Sequence, residues 1–261
     1  TYWFTNDAIK KLSLLKFSIE NVELSCDLMD FFLVCFSSLI RKVSLADPFI
    51  PPPVKLKIEK YRSSPKKYKF LLRHLRIAKK PPLLKLFKTV VLKNVKRMRM
   101  LNSIEEVKSH KVRASIIWDD AREMKVGKLG PKGKLIKVGA RKLRKKSIDF
   151  ILTSPPYLTA QKYLRSNKLE LLWLGIITES DLNFIEKNSI GTEQVSLSTM
   201  IERLGVSSID KLISFARRKS EIRALQIFKY FCDMKKVLKE IWRVLKDEHY
   251  AAIVIGNNKV L

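Results

Sequence analysis

Cysteine, histidine and glycine are scarce in this 261-residue chain, and each scarcity narrows what the chain can be. The three cysteines, Cys26, Cys35 and Cys232, are odd in number and widely spaced, which argues against a disulfide framework. Set in apolar helical patterns, they suit reduced core thiols in a cytoplasmic protein. With three histidines and no Cys-x-x-Cys, no zinc site is predicted. The eight glycines nowhere form Gly-x-Gly, so neither a dinucleotide fingerprint nor a P-loop can be written. Long apolar runs are missing too. Residues 31–36 form the longest in the N-terminal region, far short of the roughly 20 needed to cross a bilayer. No basic segment leading into an apolar core and a small-residue cleavage site opens the chain, so a soluble, non-secreted protein is expected. Acidic residues are the last shortage. Against 25 Asp+Glu stand 53 Lys+Arg, net +28 at pH 7, which favours a polyanionic partner such as nucleic acid over the rival, an anionic membrane surface.

Periodicity predicts helices over residues 5–20, capped by Asn6 or Asp7, and 27–43, capped by Asp27 and apolar over most of its circumference, hence a core helix. The stretch Asp47-Pro48-Phe49-Ile50-Pro51-Pro52-Pro53 reads as a boundary or stiff linker. Residues 41–100 hold nineteen Lys/Arg against two acids, Asp47 and Glu59, interleaved with Tyr61, Tyr68, Phe70 and Phe87. That mixture suits phosphate contact and base stacking; a solvated helical face is the plainer alternative. The expected division is a helical, strongly basic region over residues 1–100 and an α/β region over residues 111–261.

In the second region, residues 112–118 read as a strand that runs directly into Asp119-Asp120-Ala121-Arg122. Residues 125–146 carry Gly127, Gly130, Gly133 and Gly139 and read as a flexible basic loop or short hairpin. A buried strand is expected over residues 148–152, a helix over 160–174 closed by Gly175, and an irregular polar segment over 176–204. Residues 208–246 are strongly helical with a break near Ser220, and a further strand covers 250–255. Strands alternating with helices indicate an α/β sheet with crossover helices.

The informative stretch is Ser147-Ile-Asp-Phe-Ile-Leu-Thr153-Ser154-Pro155-Pro156-Tyr157. Consecutive prolines fix φ near −65° and carry no N–H, so the strand empties into a stiff loop whose Ser154 and Pro155 carbonyls face outward. Open α/β sheets place ligand chemistry at such strand ends. This loop resembles the catalytic loop of amino-directed DNA methyltransferases, which methylate cytosine N4 or adenine N6 with S-adenosylmethionine. Asp119-Asp120-Ala121-Arg122 resembles the acidic strand end that precedes the loop in that family, and residues 163–175 the helix that follows it. Residues 240–246 and Gly256-Asn257 resemble the later helix, turn and strand, and Ser37-Ser-Leu-Ile-Arg-Lys-Val-Ser44 resembles an N-terminal segment of archaeal and bacterial members.

The resemblance implies a Rossmann-like methyltransferase sheet, incomplete in this chain, and a function. Ser154, Pro155, Pro156 and Tyr157 would be catalytic, with Asp120 and Thr153 contacting S-adenosylmethionine. The Ser154 side chain and Pro155 carbonyl would accept hydrogen bonds from the exocyclic amine, and Tyr157 would stack on a base flipped from duplex DNA. None of the cysteines follows a proline, which argues against carbon-5 chemistry. Serine at the head of the loop leans toward cytosine N4; adenine N6, RNA as the polymer, and a noncatalytic nucleic-acid-binding module remain alternatives. A restriction-modification setting with a cognate endonuclease is implied. Two departures stand out: the family's Phe-x-Gly-x-Gly cofactor turn is absent, and its glycine-rich turn is Lys246-Asp247-Glu248-His249 here. Truncation at both ends is the simplest expectation. Plainer roles are also open: Asp120 as a turn former, Trp173 and Trp242 as core, Asn257 and His249 as turn residues.

Overall fold

A computed structural model describes residues 2–114, 120–126, 141–158 and 163–256. In chain order it contains helices α1 (Asn6–Glu20), α2 (Cys26–Ile40), α3 (Pro65–Lys79), α4 (Leu83–Leu101) and α5 (Glu105–Lys108). Two short strands follow, β1 (Lys125–Val126) and β2 (Arg141–Lys142), then β3 (Ile148–Thr153). Helices α6 (Tyr163–Ser166), α7 (Lys168–Leu174), α8 (Glu179–Asn188), α9 (Ser207–Lys219) and α10 (Glu221–Val244) lead to β4 (Leu245–Ile253). The chain divides into two units, Thr1–Ser115 with Arg165–Thr178, and Ile116–Leu164 with Glu179–Leu261.

The first unit is helical. Thr5, not Asn6 or Asp7, caps α1: its backbone is still extended, and its hydroxyl accepts from the Ala8 N–H at 3.3 Å. Ala8, Leu12, Leu15 and Ile19 then recur on one face and are buried. Helix α2 buries only Cys35, Phe36, Leu39 and Ile40, all in its second half, while Leu28 and Val34 are exposed. It is therefore a half-covered helix rather than a core helix. Ser25 precedes it and makes no side-chain cap bond, and Cys26 at its start is exposed. Trp173 of α7 completes this core as expected, meeting the Phe4 and Phe36 rings edge-on at 5.6 and 6.2 Å.

The proline-rich stretch after α2 is not a linker. Ala46 bridges to Lys55, folding the segment back on itself, and Arg41 donates to the carbonyls of Asp47, Ile50 and Pro51. Asp47 is buried and accepts from the Phe49 N–H and, at 2.7 Å, from the Tyr61 hydroxyl. Pro65 opens α3 at its first turn, where a missing N–H costs nothing, and Pro81-Pro82 separate α3 from α4. Leu71, His74 and Ala78 of α3 face inward, as do Leu83, Leu86, Phe87 and Val90 of α4. The lysines and arginines of both helices lie outward and exposed.

In the second unit β3 and β4 pair in parallel, with Phe150 opposite Tyr250 and Thr153 opposite Ile253. β4 starts earlier than expected. Its residues 246–249, expected as a turn, bulge opposite Asp149 with Glu248 at φ +62°, and Lys246 donates to the Asp149 carboxylate at 2.5 Å. β1 and β2 pair antiparallel, Lys125 opposite Lys142 and Val126 opposite Arg141. The strand expected over residues 112–118 falls mostly outside the described residues, as do Gly127, Gly130, Gly133, Gly139 and Asn257. The helix expected over 160–174 is two short helices, α6 and α7, closed by Gly175 in the left-handed region at φ +70°. The segment expected to be irregular contains α8, which the polar composition of its outer face disguised.

Helices α9 and α10 meet at Ser220, whose extended backbone makes the break and whose hydroxyl accepts from the Arg223 N–H. They pack through Ile213, Ala216, Ala224, Ile227 and Phe228. Two further expectations fail here. β3 is not buried: Phe150 and Leu152 are 57% and 68% exposed, because a parallel strand is covered only when neighbours and helices close both faces, and among the described residues one strand pairs with it. Trp242 is 82% exposed and belongs to no core.

Phe36 is fully buried, so Phe36→Ala is expected to destabilise the first unit by about 3–5 kcal/mol, read from the urea midpoint. Burial lowers the pKa of His74, outweighing the Ala46 and Ser44 carbonyls and Asp47, which raise it. The unfolded chain takes up this proton near pH 6.5 and the folded protein only at lower pH. Its contribution to stability is therefore complete above about pH 6.5 and is lost as pH falls toward the folded value. Urea titrations at pH 7 and pH 5 should show the loss, and His74→Gln should reduce it.

Candidate active site

The register that sets Thr153 opposite Ile253 brings two strand ends together. Ser154-Pro155-Pro156-Tyr157 leaves the sheet from one, and Val254, Ile255 and Gly256 leave it from the other. The Val254 N–H donates to the Thr153 carbonyl at 2.9 Å, carrying the pairing one step past the strands. Ser154 is exposed, Pro155 buried, and Thr153, Pro156 and Tyr157 half-buried. Leu158 then packs against the α9–α10 core and anchors the loop's exit.

Tyr157 is held at two points. The Gly256 N–H donates to its phenolic oxygen at 3.1 Å. At the other end Gly191, left-handed at φ +78°, comes so near that a Cβ there would lie 2.9 Å from the Tyr157 carbonyl oxygen. Tyr230 of α10 also lies against Gly191, and burial pushes its phenol pKa up.

Asp120 sits in a second cluster, organised by Arg122. The Arg122 Nε lies 2.8 and 2.9 Å from the two Asp120 carboxylate oxygens, and the Arg122 N–H also donates to this carboxylate. The same guanidinium pairs with Asp233 of α10 at 3.0 Å and donates to the Asn188 carbonyl at the end of α8 at 2.9 Å. Lys229 pairs with the other Asp233 oxygen at 3.1 Å. Burial raises the Asp120 pKa, but hydrogen bonds and charge from Arg122 outweigh it and hold the carboxyl below its ordinary range. The Arg122 guanidinium is itself held firmly charged by Asp120 and Asp233. Asp120 is thus both a turn former, its carbonyl accepting from the Glu123 and Met124 N–H groups, and an ion-pair partner.

The structure therefore gathers Tyr157, Gly191, Tyr230 and Gly256 together and places Asp120 in a separate cluster with Arg122. The sequence reading missed Gly191, Gly256 and Asp233 as parts of one site. The signals present were a Ser189-x-Gly191-Thr192 turn after a helix and a glycine where a strand stops.

A parallel strand pair with helices between its strands is an α/β arrangement, and its strand-end edge, where a stiff hydroxyl-bearing loop departs, is the candidate site. Over 272 residues the chain is 26% identical to the Type II methyltransferase M.MvaI of Kocuria varians. The likeness takes in 99% of this chain and 52% of that protein, so the chain spans about half the length of the relative it matches. No family model matches the chain, and no solved structure does. The mixed helix and strand content with a small parallel sheet, among the described residues, is compatible with a methyltransferase fold.

Removing Arg122 would leave Asp233, whose side chain is 6% exposed, facing Lys229 alone and would free the last turn of α8. Arg122→Ala is expected to cost about 3 kcal/mol of stability, measured by thermal unfolding.

Proposed function

We propose that this chain is the base-binding part of an enzyme that methylates the exocyclic amine of a flipped DNA base, cytosine N4 above adenine N6, in a restriction-modification setting. The observation that carries the proposal is the stiff Ser154-Pro155-Pro156-Tyr157 loop at the end of a parallel strand, in a chain similar along its length to a Type II methyltransferase. In this reading residues 1–100 contact the DNA backbone and residues 111–261 hold the chemistry. The exposed lysines and arginines of α3 and α4 support the first assignment, since the two nearby acids, one of them buried, cannot neutralise them.

An exocyclic amine is a poor nucleophile because its lone pair is delocalised into the ring. The Ser154 hydroxyl and the Pro155 carbonyl would accept its two hydrogens and orient the nitrogen lone pair, while Tyr157 stacks on the base. S-adenosylmethionine, when bound, supplies the electrophilic methyl group. Thr153 and Asp120 are the residues here proposed to touch it. They do not make a complete donor site: the Asp120 carboxylate already carries Arg122, and the chain has no Gly-x-Gly turn. In this proposal the rest of that site lies outside this chain.

The second reading, a noncatalytic nucleic-acid-binding module, draws on that same missing turn. Both are tested by incubating the intact purified enzyme, in which this chain is joined to the part that completes the donor site, with methyl-labelled S-adenosylmethionine and either unmethylated genomic DNA or RNA, then identifying the methylated nucleoside. Label in DNA as N4-methylcytosine is expected. Ser154→Ala should lower kcat about a hundredfold, and Tyr157→Ala should abolish detectable transfer. Full activity in a Ser154→Ala, Tyr157→Ala double variant would sink the proposal, and tight DNA binding without transfer would favour the module.

A further inference from the structure

The proposed base platform has a seat of its own, made from two glycines that no part of the loop motif contains. Tyr157 spans the space between the turn after α8 and the end of β4. Its carbonyl lies against Gly191, and its hydroxyl accepts from the Gly256 N–H. Geometry demands glycine at 191 and leaves little room for a side chain at 256. At Gly256 a Cβ would lie 3.1 Å from the phenolic oxygen and 3.4 Å from the ring carbon bearing it. At Gly191 a side chain would meet both the left-handed backbone and the Tyr157 carbonyl.

We infer that Gly256 and Gly191 are positioning residues: they fix the direction in which the Tyr157 side chain stands before the base arrives, and the Gly256 amide is the reason the loop ends in tyrosine here. This rests on the methylation reading for the ring's task, though the seat itself is a property of the fold. A side chain free to swing would have to be ordered as the base enters. A ring pinned at its hydroxyl meets the base already aligned, and that alignment is gained where stacking and amine orientation must coincide. The phenolic oxygen is used as an acceptor from Gly256, so its own proton remains available to donate outward. Arg122 extends the seat backward. By holding the Asn188 carbonyl it steadies the end of α8, from which the Gly191 turn departs.

The test separates the seat from its use. In protein labelled with nitrogen-15 glycine, the eight glycine amides give a countable spectrum. Tyr157→Phe should shift the Gly256 amide, which loses its acceptor, and should leave glycines remote from the loop unmoved. In methyl-transfer assays of the intact enzyme on unmethylated genomic DNA, Tyr157→Phe and Gly256→Ala should each lower kcat about fivefold, the equivalent of one net hydrogen bond. KM for DNA should stay nearly constant. The double variant should be about as active as either single one, because removing the hydroxyl opens the nearest contact to the added methyl from 3.1 to 3.4 Å. Gly191→Asn tolerates the left-handed backbone better than alanine yet still carries the Cβ, so it should keep its melting temperature more fully than Gly191→Ala while losing comparable activity. An unmoved Gly256 amide, or additive losses in the double variant, would overturn the inference. Wild-type protein that transfers no methyl group would remove the positioning role together with the methylation reading, and the amide shift would still report whether the hydrogen bond forms.

Discussion

Parallel pairing of β3 with β4 is the constraint on which the candidate site depends. Two strands that run the same way end at the same edge, and the register of Thr153 with Ile253 makes those ends coincide to within a residue. Slipping the pairing would carry Gly256 away from the Tyr157 hydroxyl and leave the loop fastened only through Leu158 and Gly191. The bulge opposite Asp149 absorbs the mismatch at the start of the strands, so that the register is regular from Phe150 to Thr153, where it matters. Lys246 and Asp149 tie that bulge down across the strands.

A second layer of order comes from Arg122. Its guanidinium is planar and offers several donors in a fixed fork, so it can join Asp120, Asp233 and the Asn188 carbonyl at once. A lysine could not satisfy this geometry with one ammonium. The carboxylate of Asp233 is buried, and with Arg122 on one oxygen and Lys229 on the other its charge is compensated. The turn at Asp120, the end of α8 and the middle of α10 are thereby tied to one another.

The helical unit follows different physics. Its core is apolar and interlocked, with Phe36 and Trp173 at its centre, and its cationic residues stay outside because a buried, unpaired ammonium or guanidinium would be too costly. Arg41 is the exception in kind. It is spent on three carbonyls of the proline-rich turn, which lack regular backbone partners, and so converts what reads as a linker into packed structure.

Much of the fold was legible from periodicity. The helices at α1 and α10, the break at Ser220, the terminator at Gly175 and the strand leading to Ser154 all follow from local chemistry, because helical periodicity, helix-ending glycines and consecutive prolines act over a few residues. The loop at residues 153–157 was legible for the same reason. What local chemistry could not supply was the company each residue keeps. Phe150, Leu152 and Trp242 read as buried and are exposed, since burial depends on which elements arrive to cover them. Asp47 reads as part of a spacer and is buried, since Arg41 and Tyr61 reach it from elsewhere in the chain. The sequence by itself determined a strongly basic, mostly helical protein with a stiff Ser-Pro-Pro-Tyr loop after a strand. Only the tertiary structure decided that Tyr157 would be seated between Gly191 and Gly256, residues 34 and 99 positions away, because that contact is made by strand register and a left-handed turn rather than by any neighbour along the chain.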